Sequence, residues 1–137
     1  MAAAASDKSG GSGDAAREAA LSERKTAVTA AIRSGNSLLA VRTALDSPPF
    51  GTKNKDLKTM NFDVVTAAML SARTDDAISK VVDELTMEEC DLLMKFIYRG
   101  LSKGDQTLQF LKWHATTLAK AGPSSIVRVI TDKRRVV

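Results

Sequence analysis

The chain has 137 residues, of which 44% are hydrophobic and 26% are charged, a balance typical of a single globular domain. Aromatic residues make up only 4%, which disfavours a stacking surface for nucleic acid. No apolar run reaches the roughly 18 residues that span a bilayer. The start MAAAAS lacks the basic and apolar segments of a secretory signal, so a cytoplasmic protein is predicted.

The net charge of +4 is concentrated at the end of the chain. Residues 1–25 hold four bases and four acids, residues 26–125 hold twelve and eleven, and residues 126–137 hold four and one. A basic cluster at the end of a helix is favoured by the helix dipole. The cluster is therefore either a solvated tail or a contact for an acidic protein surface, and its members are Arg128, Lys133, Arg134 and Arg135.

The first segment is poor in bulky apolar side chains. It contains SDKSGGSGD from Ser6 to Asp14, a composition that cannot bury enough apolar surface to order itself. We predict a flexible N-terminal arm over residues 1–20 and a helical domain over residues 21–137. Asp14 is a candidate N-cap for a helix from Ala15 to Ser34.

Two short helices are predicted about forty residues apart. Gly35 ends the first helix and Asn36 caps the next, which ends before Pro48. A longer helix is predicted over about 55–72, and Thr74 caps the second short one. The apolar triplet of the first short helix recurs in the second, which indicates successive αα-hairpins; the triplets are Leu38, Val41, Leu45 and Ile78, Val81, Leu85.

The segment LLMKFIYRG, residues 92–100, predicts a helix that is apolar over more than half of its circumference. A capping box of Thr86 and Glu89 opens this helix, and Gly100 is expected to end it. Cys90 lies on the same helix, where a buried, unreactive thiol is expected. Such a helix needs other protein surfaces packed on several of its sides. The pattern therefore indicates a protein that packs against partners rather than a catalyst.

The next helix, about 105–121, has two apolar faces. Phe110 and Trp113 lie opposite a stripe of smaller residues; the stripe consists of Leu108, Leu111, Ala115, Leu118 and Ala119. Either neighbouring helices bury both faces, or the two aromatic side chains anchor another subunit. His114 beside them is interpreted as a surface or packing residue rather than a catalyst.

The last element, residues 124–131, is rich in β-branched residues and would be a strand by propensity alone. No second strand signal is present to pair with it, so a helix is predicted. Ile126, Val127 and Ile130 would face inward and Arg128 outward.

Catalytic patterns are missing from the sequence. There is one histidine and one cysteine, and no zinc-protease, nucleophile-elbow or phosphate-loop motif. We therefore predict a protein that is not an enzyme and that binds no cofactor or metal.

Several segments together resemble a known family. They are Ala44-Leu45 followed by Pro48-Pro49, then residues 91–100 (DLLMKFIYRG), then residues 111–114 (LKWH), then Gly122 with residues 125–131 (SIVRVIT). In this order and spacing, the chain from about Ile32 onward resembles the smallest subunit of the actin-related protein 2/3 complex.

The resemblance implies an all-α, single-domain αα-hairpin array, or α-α superhelix, of about six to seven helices. It implies a non-catalytic subunit of a cytoplasmic assembly that nucleates branched actin filaments in the actin cytoskeleton. Its helical body would dock on a propeller subunit and a scaffold subunit, and its N-terminal arm would tether actin-related protein 2. Residues 1–20 lack the aromatic residues and acidic character of the arms of animal members.

Interface candidates can be named on the helical body and the basic tail; they are Tyr98, Phe110, Trp113, Arg128, Lys133, Arg134 and Arg135. A helical-repeat adaptor for an unrelated partner would share the bottom-up features but would not explain the ordered resemblance. A basic-tailed binder of nucleic acid or a membrane surface is a third class, and its binding would fall steeply with salt.

Overall fold

The structure, a computed structural model, describes residues 11–46, Pro48, residues 52–132 and Val137, without the side chains of Gly11 and Ser12. Among these residues all of the regular secondary structure is helical, which confirms the predicted all-α fold. The seven helices are α1 (Gly11–Arg33), α2 (Ser37–Leu45), α3 (Lys55–Leu70), α4 (Asp75–Glu84), α5 (Met87–Lys103), α6 (Thr107–Ala121) and α7 (Ser124–Thr131).

Local capping chemistry sets most helix starts. The side chain of Asn36 accepts a hydrogen bond from the backbone N–H of Leu39 and caps α2. Thr74 caps α4 in the same way. The capping box of α5 is complete, because Thr86 accepts from the Glu89 backbone while the Glu89 carboxylate accepts from the Thr86 backbone. These three predicted caps are confirmed, and each satisfies N–H groups that a helix start leaves without partners.

Two predicted helix ends are wrong. The first helix begins at Gly11, so Asp14 lies in its first turn rather than at its N-cap. There the Asp14 carboxylate accepts hydrogen bonds from Arg17 at 3.0 Å and from Thr52 at 2.6 Å. Helix α5 continues through Gly100 and ends at Lys103. Gly104 follows as its C-cap, and its φ of 82° places it in the left-handed region that suits a helix terminus.

The predicted N-terminal arm falls in two parts. Residues 1–10 lie outside the described residues, and residues 11–20 form the first turns of α1. Leu21 is the first buried residue among those described, and the domain boundary at residue 21 stays a prediction. The extent of an arm therefore stays a prediction.

Six of the seven helices pack as two groups of three, and α7 lies against α5 and α6. In the first, α1 contacts α2 and α3, and α2 contacts α3; in the second, α6 contacts both α4 and α5. The groups join where α2 contacts α4 and α5 and where α3 contacts α5. The two repeated triplets line this junction, and five of their six members are buried, namely Val41, Leu45, Ile78, Val81 and Leu85.

Arg99 ties the two groups together with polar contacts. Its guanidinium donates to the backbone oxygen of Val137 at 2.8 Å, to that of Lys58 at 3.3 Å and to the Thr59 hydroxyl at 3.0 Å. The same guanidinium lies 5.0 Å from the centre of the Phe62 ring, within the range of a cation–π interaction. One side chain of α5 thus holds α3 and the last residue of the chain.

Candidate interaction surface

The two large aromatic side chains of α6 point into the core. Trp113 is completely buried, and its indole N–H donates to the backbone oxygen of Met69 at 3.2 Å. Phe110 is also buried, with its ring stacked on Phe62 at a centroid distance of 6.2 Å. Since the chain's own helices cover both rings, the interpretation of Phe110 and Trp113 as partner anchors is not retained. A buried indole with a satisfied N–H is typical of a core tryptophan.

Tyr98 is paired within the chain. Its hydroxyl lies 3.0 Å from Nε2 of His114, and the two rings meet edge to face at 5.4 Å. Both side chains are half-buried. The pair links α5 to α6 and uses the polar atom of Tyr98, which leaves only part of its ring for a partner; as an interface residue Tyr98 stays a prediction.

Arg128 on α7 makes a two-pronged ion pair. Its Nε donates to one carboxylate oxygen of Asp91 at 2.7 Å and its Nη2 donates to the other at 2.9 Å, a geometry that fixes orientation well. A third donor reaches the Ser124 hydroxyl at 3.0 Å. The hydrogen bond to Asp91 raises the pKa of Arg128. Arg128 therefore fastens α7 to α5, while half of its side chain remains exposed.

Lys133, Arg134 and Arg135 lie outside the described residues. Their role in contacting a partner stays a prediction.

Sequence reasoning identified the two apolar faces of α6 but did not predict which of them is exposed to solvent. Leu108 is 68% exposed and Leu111 is 49% exposed. The same side of the helix continues through the exposed Ala115 and Ala119, while Leu118 is half-buried against the core. We call this set the α6 stripe; its members are Leu108, Leu111, Ala115, Leu118 and Ala119. The sequence showed two apolar faces on this helix. The size of the side chains could have indicated the buried face, because the large aromatic residues of a helix tend to lie in the core.

The faces of α7 differ from the prediction. Val127 and Ile130 are exposed, whereas Ile126 is half-buried and Ser125 is completely buried. Val129 packs against the core in place of Ile130. The physical reason is that Arg128 is drawn to Asp91 on α5, which turns Val127 and Ile130 towards solvent. The buried Ser125 hydroxyl donates locally to the Gly122 backbone oxygen.

The two chemically reactive side chains of this region, the thiol of Cys90 and the ammonium group of Lys120, have structural roles. Burial raises the pKa of the Cys90 thiol, although the nearby Lys120 opposes the shift. Lys120 donates to the backbone oxygens of Val82, Asp83 and Leu85, so all three protons of its ammonium group cap the end of α4. Cys90 is completely buried, which confirms the prediction, and a buried thiol with a raised pKa is a poor nucleophile.

The described part of the chain has neither a helix that could span a membrane nor a cluster that could hold a metal ion. None of its helices combines the length and hydropathy that crossing a bilayer requires. Among the same residues, no three His, Cys, Asp or Glu side chains gather in a way that could hold a metal ion.

An open groove of about 230 Å³ runs between α1 and α3. Leu21, Val28 and Val64 form its apolar floor, and Lys25 and Asp63 stand at its edges. No cluster of catalytic side chains lines it.

The fold and these surfaces define an all-α helical-array protein with an uncovered apolar stripe on α6. Residues 4–136 match the family described as ARP2/3 complex 16 kDa subunit (p16-Arc). The chain belongs to this family.

Named relatives agree with the family match. The chain is 36% identical to actin-related protein 2/3 complex subunit 5 of Dictyostelium discoideum over 126 residues, which cover 92% of this chain and 91% of the relative. It is 38% identical to actin-related protein 2/3 complex subunit 5-C of Xenopus laevis over 111 residues, which cover 80% of this chain and 73% of the relative. It is 35% identical to the actin-related protein 2/3 complex subunit 5-like protein of Mus musculus over 107 residues, which cover 77% of this chain and 69% of the relative. The resemblance found in the sequence is confirmed.

Proposed function

We propose that the protein is a non-catalytic structural subunit of an actin-related protein 2/3 complex in the cytoplasmic actin cytoskeleton. The match of residues 4–136 to the family carries this proposal. It is supported by the similar lengths of the chain and the Dictyostelium discoideum relative, because 91% of that relative is covered. The exposed α6 stripe is consistent with a subunit, since a contiguous apolar surface is covered in a functional assembly.

Within that role, the helical body docks on a propeller subunit and a scaffold subunit. Its rigidity suits this task. The polar contacts of Arg99, Arg128 and Lys120 cross between helices and fix their relative positions, so little ordering free energy is lost when such a surface binds.

The segment before α1 tethers actin-related protein 2 in this proposal. Helix α1 is anchored by Leu21 and Val28, which are both buried, and Arg24 donates to Asn61 at 2.7 Å. A tether joined to an anchored helix raises the effective concentration of its partner without a large interface. Removal of residues 1–25 would also remove Leu21 and Arg24, so a tether test has to stop before α1.

Affinity purification of the tagged chain from its own cells, followed by mass spectrometry, tests the assignment. Stoichiometric recovery of two actin-related proteins and a propeller subunit is expected. A variant lacking residues 1–10 is compared with a variant in which those residues are replaced by a Gly-Ser segment of equal length. We expect both to lose actin-related protein 2 selectively. Recovery of unrelated proteins, or of none, by the intact chain would overturn the proposal.

A further inference from the structure

The junction between α4 and α5 is held by other helices rather than by the two that it joins. Only Leu85 and Thr86 separate α4 from α5, and both have an extended backbone. Helices α4 and α5 scarcely contact each other, whereas α2 and α6 each contact both of them. Because Leu85 rather than a left-handed glycine follows α4, the carbonyl groups at this helix end depend on other donors.

Two cations supply these donors, one from each helix that flanks the junction. Lys120 on α6 donates to three backbone oxygens, and Arg42 on α2 donates to a fourth at 2.8 Å. The four acceptors are consecutive in the chain; they are Val82, Asp83 and Leu85 for Lys120 and Glu84 for Arg42. The end of α4 is therefore bound from two sides.

The charge of the α4 end favours these cations. Its last turn contains Asp83 and Glu84 and no basic residue, although the negative end of a helix dipole is stabilised by positive charge. Arg42 also pairs with the carboxylate of Glu89 at 3.2 Å, so it bridges the end of α4 and the first turn of α5. The neighbouring helices thus supply the positive charge that α4 itself lacks.

Cys90 lies close to the junction and can report its opening. Its thiol is completely buried and is the only one in the chain, and its backbone N–H donates to the Thr86 oxygen at 2.9 Å. Burial raises the pKa of Cys90, and the nearby charge of Lys120 opposes that shift. Opening of the junction would therefore separate Cys90 from the groups that now cover it.

We propose that Arg42 and Lys120 act together as a lock that keeps the α4–α5 junction closed over Cys90. The inference concerns the helical body alone and does not depend on the proposed function. Because peptide planes are rigid, Lys120 holds the oxygens on either side of Glu84 and thereby orients the Glu84 carbonyl for Arg42. Loss of either cation allows the junction to open locally, without unfolding of the rest of the chain.

Iodoacetamide labelling of Cys90 in the full chain, followed by mass spectrometry at urea concentrations below the unfolding transition, is the test. In the wild-type chain, labelling should proceed only as fast as global unfolding allows. We expect Lys120→Met to be labelled at least about tenfold faster than its own free energy of unfolding allows, because three carbonyl groups lose their donor. That rate should hardly depend on urea, since local opening exposes little surface.

Arg42→Met provides a second route to the same opening. Its increase in labelling should be smaller, about threefold, because Arg42 binds one carbonyl group and is partly exposed. This variant keeps the proposal testable if Lys120→Met does not fold. Lys80→Met and Arg73→Met are the matched controls, because both remove the same charges at exposed positions in or beside α4; their labelling should equal that of the wild-type chain.

The variant that combines Arg42→Met with Lys120→Met separates one lock from two independent contacts. If the cations act together, the combined variant should be labelled more slowly than the product of the two single effects predicts. Effects that multiply would overturn the single lock. Labelling of Lys120→Met that follows global unfolding at every urea concentration would overturn the local opening itself.

Discussion

Replacing Gly100 with alanine tests the packing between α5 and α6 directly. A Cβ atom at Gly100 would lie 2.3 Å from Cζ of Phe110 and 2.5 Å from each Cε, whereas ordinary contacts lie at 3.4 Å or more. Phe110 cannot withdraw easily, because its ring is buried and stacked on Phe62. Phe62 is held in turn by the cations of Arg99 and Lys103, at 5.0 and 4.9 Å from its centre.

The free energy of unfolding is expected to fall by about 2 kcal/mol. Overpacking a fitted core costs about 1–3 kcal/mol, and an overlap of more than about 1 Å with three ring atoms belongs at the upper end of that range. Alanine has a higher helix propensity than glycine, which returns about 1 kcal/mol. The overpacking term is therefore larger, so Gly100→Ala destabilises the chain although it removes a glycine from a helix.

Urea denaturation of the purified chain, followed by far-ultraviolet circular dichroism, measures the change. Gly13→Ala is the control, because Gly13 lies in α1 and a Cβ there meets only the end of the flexible Arg17 side chain; that variant should be unchanged or slightly more stable. Phe110→Leu combined with Gly100→Ala should show a coupling energy of about 1 kcal/mol or more. A Gly100→Ala chain as stable as wild type, or additive effects in the double variant, would refute the reasoning.

Two further substitutions test interactions between and within helices, a third concerns pH, and a fourth prediction concerns the reactivity of the cysteine. Lys120→Met should destabilise the chain by about 1–3 kcal/mol in the same urea assay, because three carbonyls of α4 lose their donor; Lys80→Met, at an exposed site, should change little. Thr86→Ala should cost about 1 kcal/mol through loss of the α5 cap, and no loss would contradict the capping box. Burial tends to raise the pKa of Glu89, but hydrogen bonds from Thr86 and Arg42 outweigh it and lower that pKa overall. The stabilisation is therefore present above the unfolded-state pKa and is lost as pH falls through the folded-state pKa, so Glu89→Gln should make stability depend less on pH in the acidic range. Cys90 should react with iodoacetamide only when the chain unfolds, because burial raises its pKa; rapid alkylation of the native chain would refute this.

Helix starts were predictable because their causes are local. Asn36, Thr74 and Thr86 each cap a helix through a backbone N–H three residues later. No distant part of the chain is needed for such a hydrogen bond, so the residue type and its spacing carry the information. The buried triplets of α2 and α4 were found for the same reason, since their helical spacing defines one apolar side.

Other features depended on contacts distant in sequence. Gly100 resembles a helix terminus from sequence alone, but it provides space for Phe110, ten residues later on a different helix. The sequence did not indicate which face of α6 is buried, because the Trp113 indole N–H finds its acceptor in the backbone oxygen of Met69, on a different helix. Likewise, the partner of Arg128 is Asp91, 37 residues earlier, and no local pattern indicates this pair. The candidate surface on α6 followed only once the buried side of that helix was known.

The order of the helices along the chain also has a consequence for folding. The first three helices contact one another, and α5 is the element that contacts α2, α3, α6 and α7. Closing the short loops between neighbouring helices loses little chain entropy, and such local topologies fold quickly. We therefore expect α1, α2 and α3 to associate on the ribosome before α5 emerges, with the hydrophobic core completed only after α5 has been synthesised.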